Sequence, residues 1–158
     1  MKSTPRKALL DTNLLLLWLV AQTDSSILLE FKRVQVFASP DIDLRREVVR
    51  GYSELVTTPH ILAETSNFVD QAPSWRRPAL TEALRSYIHE VVEIFYPADS
   101  LVDREEFNLL GITDTGLAQL SSEVVVITMD YPLSGKIEAL GGHAVNFNHY
   151  RSTYLLSR

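Results

Sequence analysis

Residues 8–13, Ala-Leu-Leu-Asp-Thr-Asn, decide how this chain of 158 residues can fold. Three apolar residues in succession predict a buried strand, and Asp11 stands where that strand ends. The leucine-rich run from Leu14 to Val20 predicts a helix that returns along the sheet. Ligands of open α/β sheets bind at the carboxyl ends of the strands, so Asp11 lies where a functional group is expected.

The same switch from strand to helix recurs twice along the chain. Residues 55–57 predict a strand, and Thr58 with Pro59 suits the N-cap and first position of a helix that carries Glu64. Residues 124–127 are apolar without alternation, which is typical of a central parallel strand covered on both faces. That third strand is followed by Thr128-Met129-Asp130, so it too delivers a carboxylate to its end.

Further elements follow from apolar periodicity and from helix end signals. Residues 78–92 carry the strongest helical stripe, which is core in the simplest interpretation and a dimer or partner surface in the other. Ser100 predicts the start of a helix that ends near Gly111. Thr113 predicts the cap of another helix, on which Asp114 faces inward. Residues 94–96 and 144–147 predict strands, and residues 131–140 predict a helix.

The stretch from 22 to 56 is the least readable part of the chain, because residues 27–37 fit a helix, a strand or both. Ser39 and Pro40 predict the N-cap and first position of a short helix. That helix is expected to expose Arg45, Arg46 and Arg50. A solvated face and a patch that steers phosphates are the two interpretations of these arginines.

Strands that alternate with helices predict an α/β fold, a three-layer sandwich with a mostly parallel central sheet of four to five strands. The length suits a single domain over residues 1–158, with 22–56 as an insertion. The net charge of -5 argues against wrapping of nucleic acid by charge alone. The absence of cysteine excludes disulfides and thiolate metal sites, and it favours a reducing, cytoplasmic location.

A signal peptide is the alternative interpretation of the N-terminus, because Lys2, Arg6 and Lys7 precede an apolar run over residues 14–21. The polar residues 11–13 interrupt that pattern. The apolar run is also too short to span a bilayer, so no membrane association is expected.

Four acidic residues stand at strand ends or early in the helices that follow, so the predicted fold brings them to one edge of the sheet. They are Asp11, Glu64, Asp114 and Asp130. Carboxylates that lie close together raise one another's pKa and destabilise a fold unless a cation neutralises them. Oxygen ligands of this kind suit Mg²⁺ or Mn²⁺ better than Zn²⁺.

With these motifs the chain resembles the PIN-domain family of metal-dependent nucleases, which includes toxins of type II toxin-antitoxin pairs. The carriers are residues 10–13, Thr58-Pro59 with Leu62 and Glu64, Thr113-Asp114, and residues 127–130. The resemblance implies an endoribonuclease that uses Mg²⁺ or Mn²⁺, with RNA as substrate, and an antitoxin protein and a homodimer as candidate partners.

The resemblance also implies roles for individual residues. Asp11, Glu64, Asp114 and Asp130 would be the catalytic and metal-binding acids, with Asp11 and Asp114 as direct ligands and Asp130 bound directly or through water. Thr12, Asn13 and Thr128 would orient these carboxylates or touch a phosphate oxygen. A helix cap or a turn explains the same three residues equally well.

Other functions fit parts of the sequence. A phosphatase of the haloacid-dehalogenase type also places Asp after the first strand, but it requires a second Asp where this chain has Asn13. A catalytically silent PIN-like module that binds RNA or protein is the main alternative. Four scattered histidines, at positions 60, 89, 143 and 149, lack the spacing of a zinc site. Residues 75–77, Trp-Arg-Arg, fit an ordinary loop better than a base-stacking site.

Overall fold

A computed structural model of the protein describes residues 5–156, with side chains described as far as residue 154. Lys2, which belongs to the signal-peptide alternative, lies outside these residues. The strands are β1 (Lys7–Leu10), β2 (Glu54–Thr57), β3 (Val92–Glu93), β4 (Val125–Thr128) and β5 (Ala144–Asn146). The helices are α1 (Thr12–Thr23), α2 (Ile27–Glu30), α3 (Ser39–Arg50), α4 (Pro59–Val69), α5 (Arg77–Glu90), α6 (Ala98–Val102), α7 (Phe107–Leu120), α8 (Tyr131–Ala139) and α9 (Phe147–Leu156).

The five strands form one parallel sheet in the order β3-β2-β1-β4-β5. Strand β1 is therefore central, with Leu9 opposite Val56 of β2 on one side and opposite Val126 of β4 on the other. Because every strand is parallel, all five carboxyl ends meet at the same edge of the sheet. The α/β sandwich predicted from the sequence is confirmed.

Helix α1 lies at the centre of one helical layer, where it contacts α3, α4 and α5. Its leucines are buried on every side of the helix, because the sheet covers one side and neighbouring helices cover the others. Helices α7 and α8 contact each other. With this strand order, crossovers of the usual right hand put α7 and α8 on the face of the sheet opposite α1. No helix in the described part of the chain is long and apolar enough to span a membrane.

The unreadable stretch packs into the same core as the sheet. Helix α2 is followed by a single 3₁₀ turn, Lys32–Val34, and the buried residues Phe31, Val34 and Phe37 recur at every third position. A spacing of three suits a 3₁₀ turn, in which side chains three residues apart lie on one side. Of the two structures that residues 27–37 fit in the sequence, the helical one is formed and the strand is not.

Several predicted details were wrong. Helix α3 includes Ser39, and its N-cap is Ala38, whose amide donates to Asp41 Oδ2 at 2.8 Å. Strand β3 ends at Glu93, so the strand predicted over 94–96 is not formed. Helix α6 begins at Ala98 rather than at Ser100.

The prediction that Arg45 is exposed was also wrong, because this residue is buried, with 3% of its surface exposed. Its guanidinium lies 4.1 Å from the centroid of the Trp18 ring, whereas Arg46 and Arg50 are exposed as predicted. Burial lowers the pKa of Arg45 to about 10. The periodicity of α3 gave no sign of this, because a long cationic side chain can pack its stem and its planar head on an aromatic ring.

Candidate functional site

The four predicted acids line one pocket of about 170 Å³ next to the carboxyl edge of the sheet. They reach it from four separate parts of the chain, which the parallel sheet and its crossovers bring together. The complete lining is Asp11, Thr12, Asn13, Arg33, Glu64, Phe68, Asp114 and Asp130.

Asp11 links the central strand to the first helix. Its backbone N–H donates to the Ile127 carbonyl at 3.0 Å, which continues the pairing of β1 with β4. Its side chain then accepts a hydrogen bond from the Thr12 N–H at 2.7 Å, as the N-cap of α1. Asp11 therefore has a structural role of its own, and its second carboxylate oxygen is available to another partner.

That partner is Thr128, which was predicted to orient the carboxylates. The Thr128 hydroxyl, fully buried, donates to Asp11 Oδ2 at 2.6 Å. The same hydroxyl accepts from the Asp130 backbone N–H at 3.0 Å. Asp130 in turn caps α8, because its Oδ1 accepts from the Leu133 N–H at 2.9 Å. Thr128 thus sets the positions of two of the four acids.

Glu64 is held from the side of α1. The Thr12 hydroxyl donates to Glu64 Oε2 at 3.3 Å, and Thr12 itself is buried. Helix α4, which carries Glu64, begins as predicted with Thr58 as its N-cap, accepting from the Ile61 N–H at 3.3 Å. Asn13 lines the pocket as an exposed side chain. Thr12 and Thr128 therefore donate hydrogen bonds to acids of the pocket, whereas Asn13 lines the pocket beside them.

Asp114 reaches the pocket through an interruption in α7. Gly111 has φ 75° and ψ 179°, a conformation that is nearly restricted to glycine, so the helix is broken just before Asp114. The predicted helix end at Gly111 thus corresponds to a break inside α7. Asp114 stands in the first turn after the break, while Leu117 and Ala118 of the following turn are buried.

The electrostatics of the pocket disfavour the ionised forms of Asp11 and Asp114. Burial raises the pKa of Asp11 above its ordinary value of 3.8, while the hydrogen bonds from Thr128 and Thr12 oppose that rise. Burial also raises the pKa of Asp114 to about 7, with additional repulsion from Asp11, Asp130 and Glu64. Carboxylates that lie near one another in a partly desolvated pocket repel each other, and a bound cation would reduce that repulsion.

The donor set fits a hard divalent cation in type, because all four groups are carboxylates. It does not enclose one in its present arrangement: over residues 5–156, no three acidic or histidine side chains converge closely enough to hold a metal ion. A cation would therefore have to draw these side chains together or use water to complete its coordination.

Two lining residues were missed in the sequence. Phe68 lies on α4 one turn after Glu64. Arg33 lay in the unreadable stretch, and its guanidinium lies 3.9 Å from the centroid of the Phe68 ring, with its Nε donating to Gln71 Oε1 at 2.9 Å. The spacing of Phe31, Val34 and Phe37 is the signal that could have placed Arg33 on the exposed side of a turn.

The other polar candidates lie elsewhere. None of the four histidines contributes to the pocket lining. Trp75 is exposed, and Arg76 is engaged by Asp24 at 3.2 Å and by Glu30 at 2.8 Å. These ion pairs agree with the ordinary structural interpretation of residues 75–77, because they occupy the guanidinium of Arg76.

No family model matches the chain, and a search of curated proteins gives no significant match. The resemblance to the PIN-domain family therefore stays a prediction from the motifs.

Proposed function

We propose that this protein is a metal-dependent ribonuclease that hydrolyses internal phosphodiester bonds of RNA with Mg²⁺ or Mn²⁺. One observation carries the proposal: four carboxylates from separate elements line a single pocket at the edge of a parallel sheet, where ligands commonly bind. The raised pKa of Asp114, about 7, fits a group whose ionised form needs a cation nearby.

Asp11 and Asp114 would hold the cation, and Glu64 and Asp130 would complete its surroundings directly or through water. A bound divalent ion would lower the pKa of a water molecule and stabilise charge on the phosphate oxygens. Thr128 would keep Asp11 oriented by its hydrogen bond at 2.6 Å. No serine, cysteine or histidine nucleophile is required by this chemistry.

The test is cleavage of an internally labelled RNA by purified protein with Mg²⁺, Mn²⁺ or EDTA. We expect Asp11→Asn and Asp114→Asn each to reduce cleavage at least about 100-fold, because each removes a charged ligand. Asp103→Asn is the matched control, since Asp103 is an exposed acid outside the pocket. Absence of cleavage by the parent with either metal would overturn the proposal, and so would full activity of both pocket variants.

A catalytically silent module that binds RNA or protein is the second candidate. It is favoured by the lack of convergence among the acids of the described residues. Calorimetry with Mn²⁺ discriminates between the two functions: the nuclease requires binding that Asp114→Asn weakens, whereas the silent module predicts no heat of binding under any condition.

A toxin role in the cytoplasm, with a protein antitoxin as partner, is a narrower proposal that is motivated by the PIN-like motifs and by the chain length. Expression of the parent should then arrest growth, and Asp114→Asn should not. Normal growth of cells that contain active nuclease would contradict the toxin role without contradicting the nuclease.

A further inference from the structure

A second cavity of about 590 Å³ adjoins the acid pocket. It is lined by Asn13, Phe31, Lys32, Arg33 and Gln71. Asn13 and Arg33 line both cavities, so the two are neighbours along one continuous surface. The acid pocket is lined by four carboxylates and by Arg33, whereas the second cavity is lined by Lys32 and the same Arg33 and by no acid of the described residues. We call the second cavity the basic groove.

The basic groove is built on an anchored segment of the chain. Its cations, Lys32 and Arg33, are exposed on the 3₁₀ turn, and Phe31 and Val34 on either side of them are 2% and 0% exposed. The buried neighbours fix the backbone of the turn in the core. The positions from which the two cations project are therefore set by the fold.

Arg33 is also oriented by its side-chain contacts. Its guanidinium lies over the Phe68 ring at 3.9 Å, and its Nε donates to Gln71 Oε1 at 2.9 Å. Among residues 5–156 neither Lys32 nor Arg33 forms an ion pair with an acid. The terminal nitrogens of Arg33 are thus left for an external anion, and guanidinium suits phosphate in particular.

A phosphodiester chain needs such a site next to the acids. The protein carries a net charge of -5, and the carboxylates of the pocket repel phosphate unless a cation is bound. Exposed arginines such as Arg46 and Arg50 are paired with Asp43 and Glu47, so their charges are partly neutralised within the fold.

We infer that the basic groove binds the backbone phosphates of single-stranded RNA beside the bond that is cut. The position beside the cut bond rests on the proposed function, whereas the binding itself can be measured without cleavage. Lys32 and Arg33 contact phosphate oxygens, and Asn13 lies between the groove and the acids. Because phosphates are shared by all sequences, this contact sets the path of the strand and not its sequence.

The experiment measures binding of a fluorescein-labelled single-stranded RNA oligonucleotide by anisotropy, in EDTA and at several salt concentrations. The protein is Asp114→Asn, so that no RNA is cut during the titration. We expect Lys32→Gln with Arg33→Gln to weaken binding about tenfold and to reduce the slope of log K against log salt by about 1.4.

Arg46→Gln with Arg50→Gln is the matched control, because it makes the same change of net charge on α3, outside the groove. This control should bind RNA within about twofold of its parent. Equal losses in both double variants would overturn the inference, since net charge alone would explain them. Unchanged binding in the groove variant, or no RNA binding by Asp114→Asn, would also overturn it.

The outcomes separate this inference from the proposed function. Binding that depends on the groove, in a protein whose parent form cuts no RNA, would contradict the nuclease and support the groove. If the parent protein cuts RNA but the groove variant binds RNA normally, the nuclease is supported and the groove inference is contradicted.

Discussion

Asp114→Asn is expected to make the protein more stable at neutral and alkaline pH, although it removes a proposed metal ligand. The pKa of Asp114 is raised from 3.8 to about 7, first by burial and then by three neighbouring carboxylates. The unfolded chain loses this proton near pH 4, whereas the folded protein keeps it until about pH 7. Stability contributed by this group is therefore present at low pH, falls between about pH 4 and 7, and stays low above 7.

The size of the effect follows from the same pKa values. The rise of the Asp114 pKa from 3.8 to about 7 corresponds to at most about 4 kcal/mol. Because the side chain is partly exposed, solvent screens the repulsion and we expect a gain of about 1–2 kcal/mol at pH 8. Asparagine has a similar shape and no charge, so little of this change should come from altered packing.

Urea unfolding at pH 4.5 and pH 8, in EDTA, measures the effect. Asp114→Asn should exceed its parent in the free energy of unfolding at pH 8 and approach it at pH 4.5. Asp103→Asn, an exposed control, should stay within about 0.5 kcal/mol at both pH values. A variant that is no more stable than its parent at pH 8, or a gain of equal size at both pH values, would refute the reasoning.

Four further substitutions test individual contacts within the fold. Thr128→Val should cost about 1–3 kcal/mol in urea unfolding, because it removes a buried hydroxyl that bridges two pocket acids through bonds of 2.6 and 3.0 Å. Gly142→Ala should lower the Tm, since its Cβ would overlap the Ser121 side chain, whereas Gly135→Ala has open space in α8 and should raise the Tm. Arg151→Met should cost about 1–3 kcal/mol, because it leaves buried Asp41 without its ion pair at 2.9 Å; a loss below 0.5 kcal/mol in urea unfolding would contradict this.

The sequence predicted the centre of the fold because that part of the chain repeats a single pattern. Strands β1 and β4 are short apolar runs that end near Asp11 and Asp130, and both were placed within one residue. Helices α4 and α8 begin where they were predicted to begin, whereas α1 extends beyond the predicted residues 14–20 by two residues at its start and three at its end. Buried parallel strands give this strong signal, and a polar residue at each carboxyl end marks the edge where the acids meet. Asp11 and Asp130 could be found in the sequence for this reason, whereas Glu64 and Asp114 were found from their places on predicted helices.

The parts that were missed depend on contacts between distant residues. Strand β3 has two residues and is defined by its pairing with Val56 and Thr57, which no local pattern encodes. Helix α9 mixes polar with apolar residues, and Arg151 forms an ion pair with Asp41 of α3. Arg45 is buried because its guanidinium packs over the ring of Trp18. In each case the decisive partner lies far away along the chain, so propensity and periodicity could not identify it.

The four acids of the pocket differ in whether the fold itself uses their carboxylates. Asp11 and Asp130 cap helices, and Glu64 accepts a hydrogen bond from Thr12, so a structural reason exists for each of these three. The side chain of Asp114 accepts no hydrogen bond within residues 5–156, and its charge is opposed both by burial and by the other acids. Asparagine would fill the same space without that repulsion. A charged residue that destabilises the fold, where a neutral residue of the same shape would not, is best explained by a ligand that requires the charge. Asp114 is therefore the position at which substitution tests the metal proposal most directly.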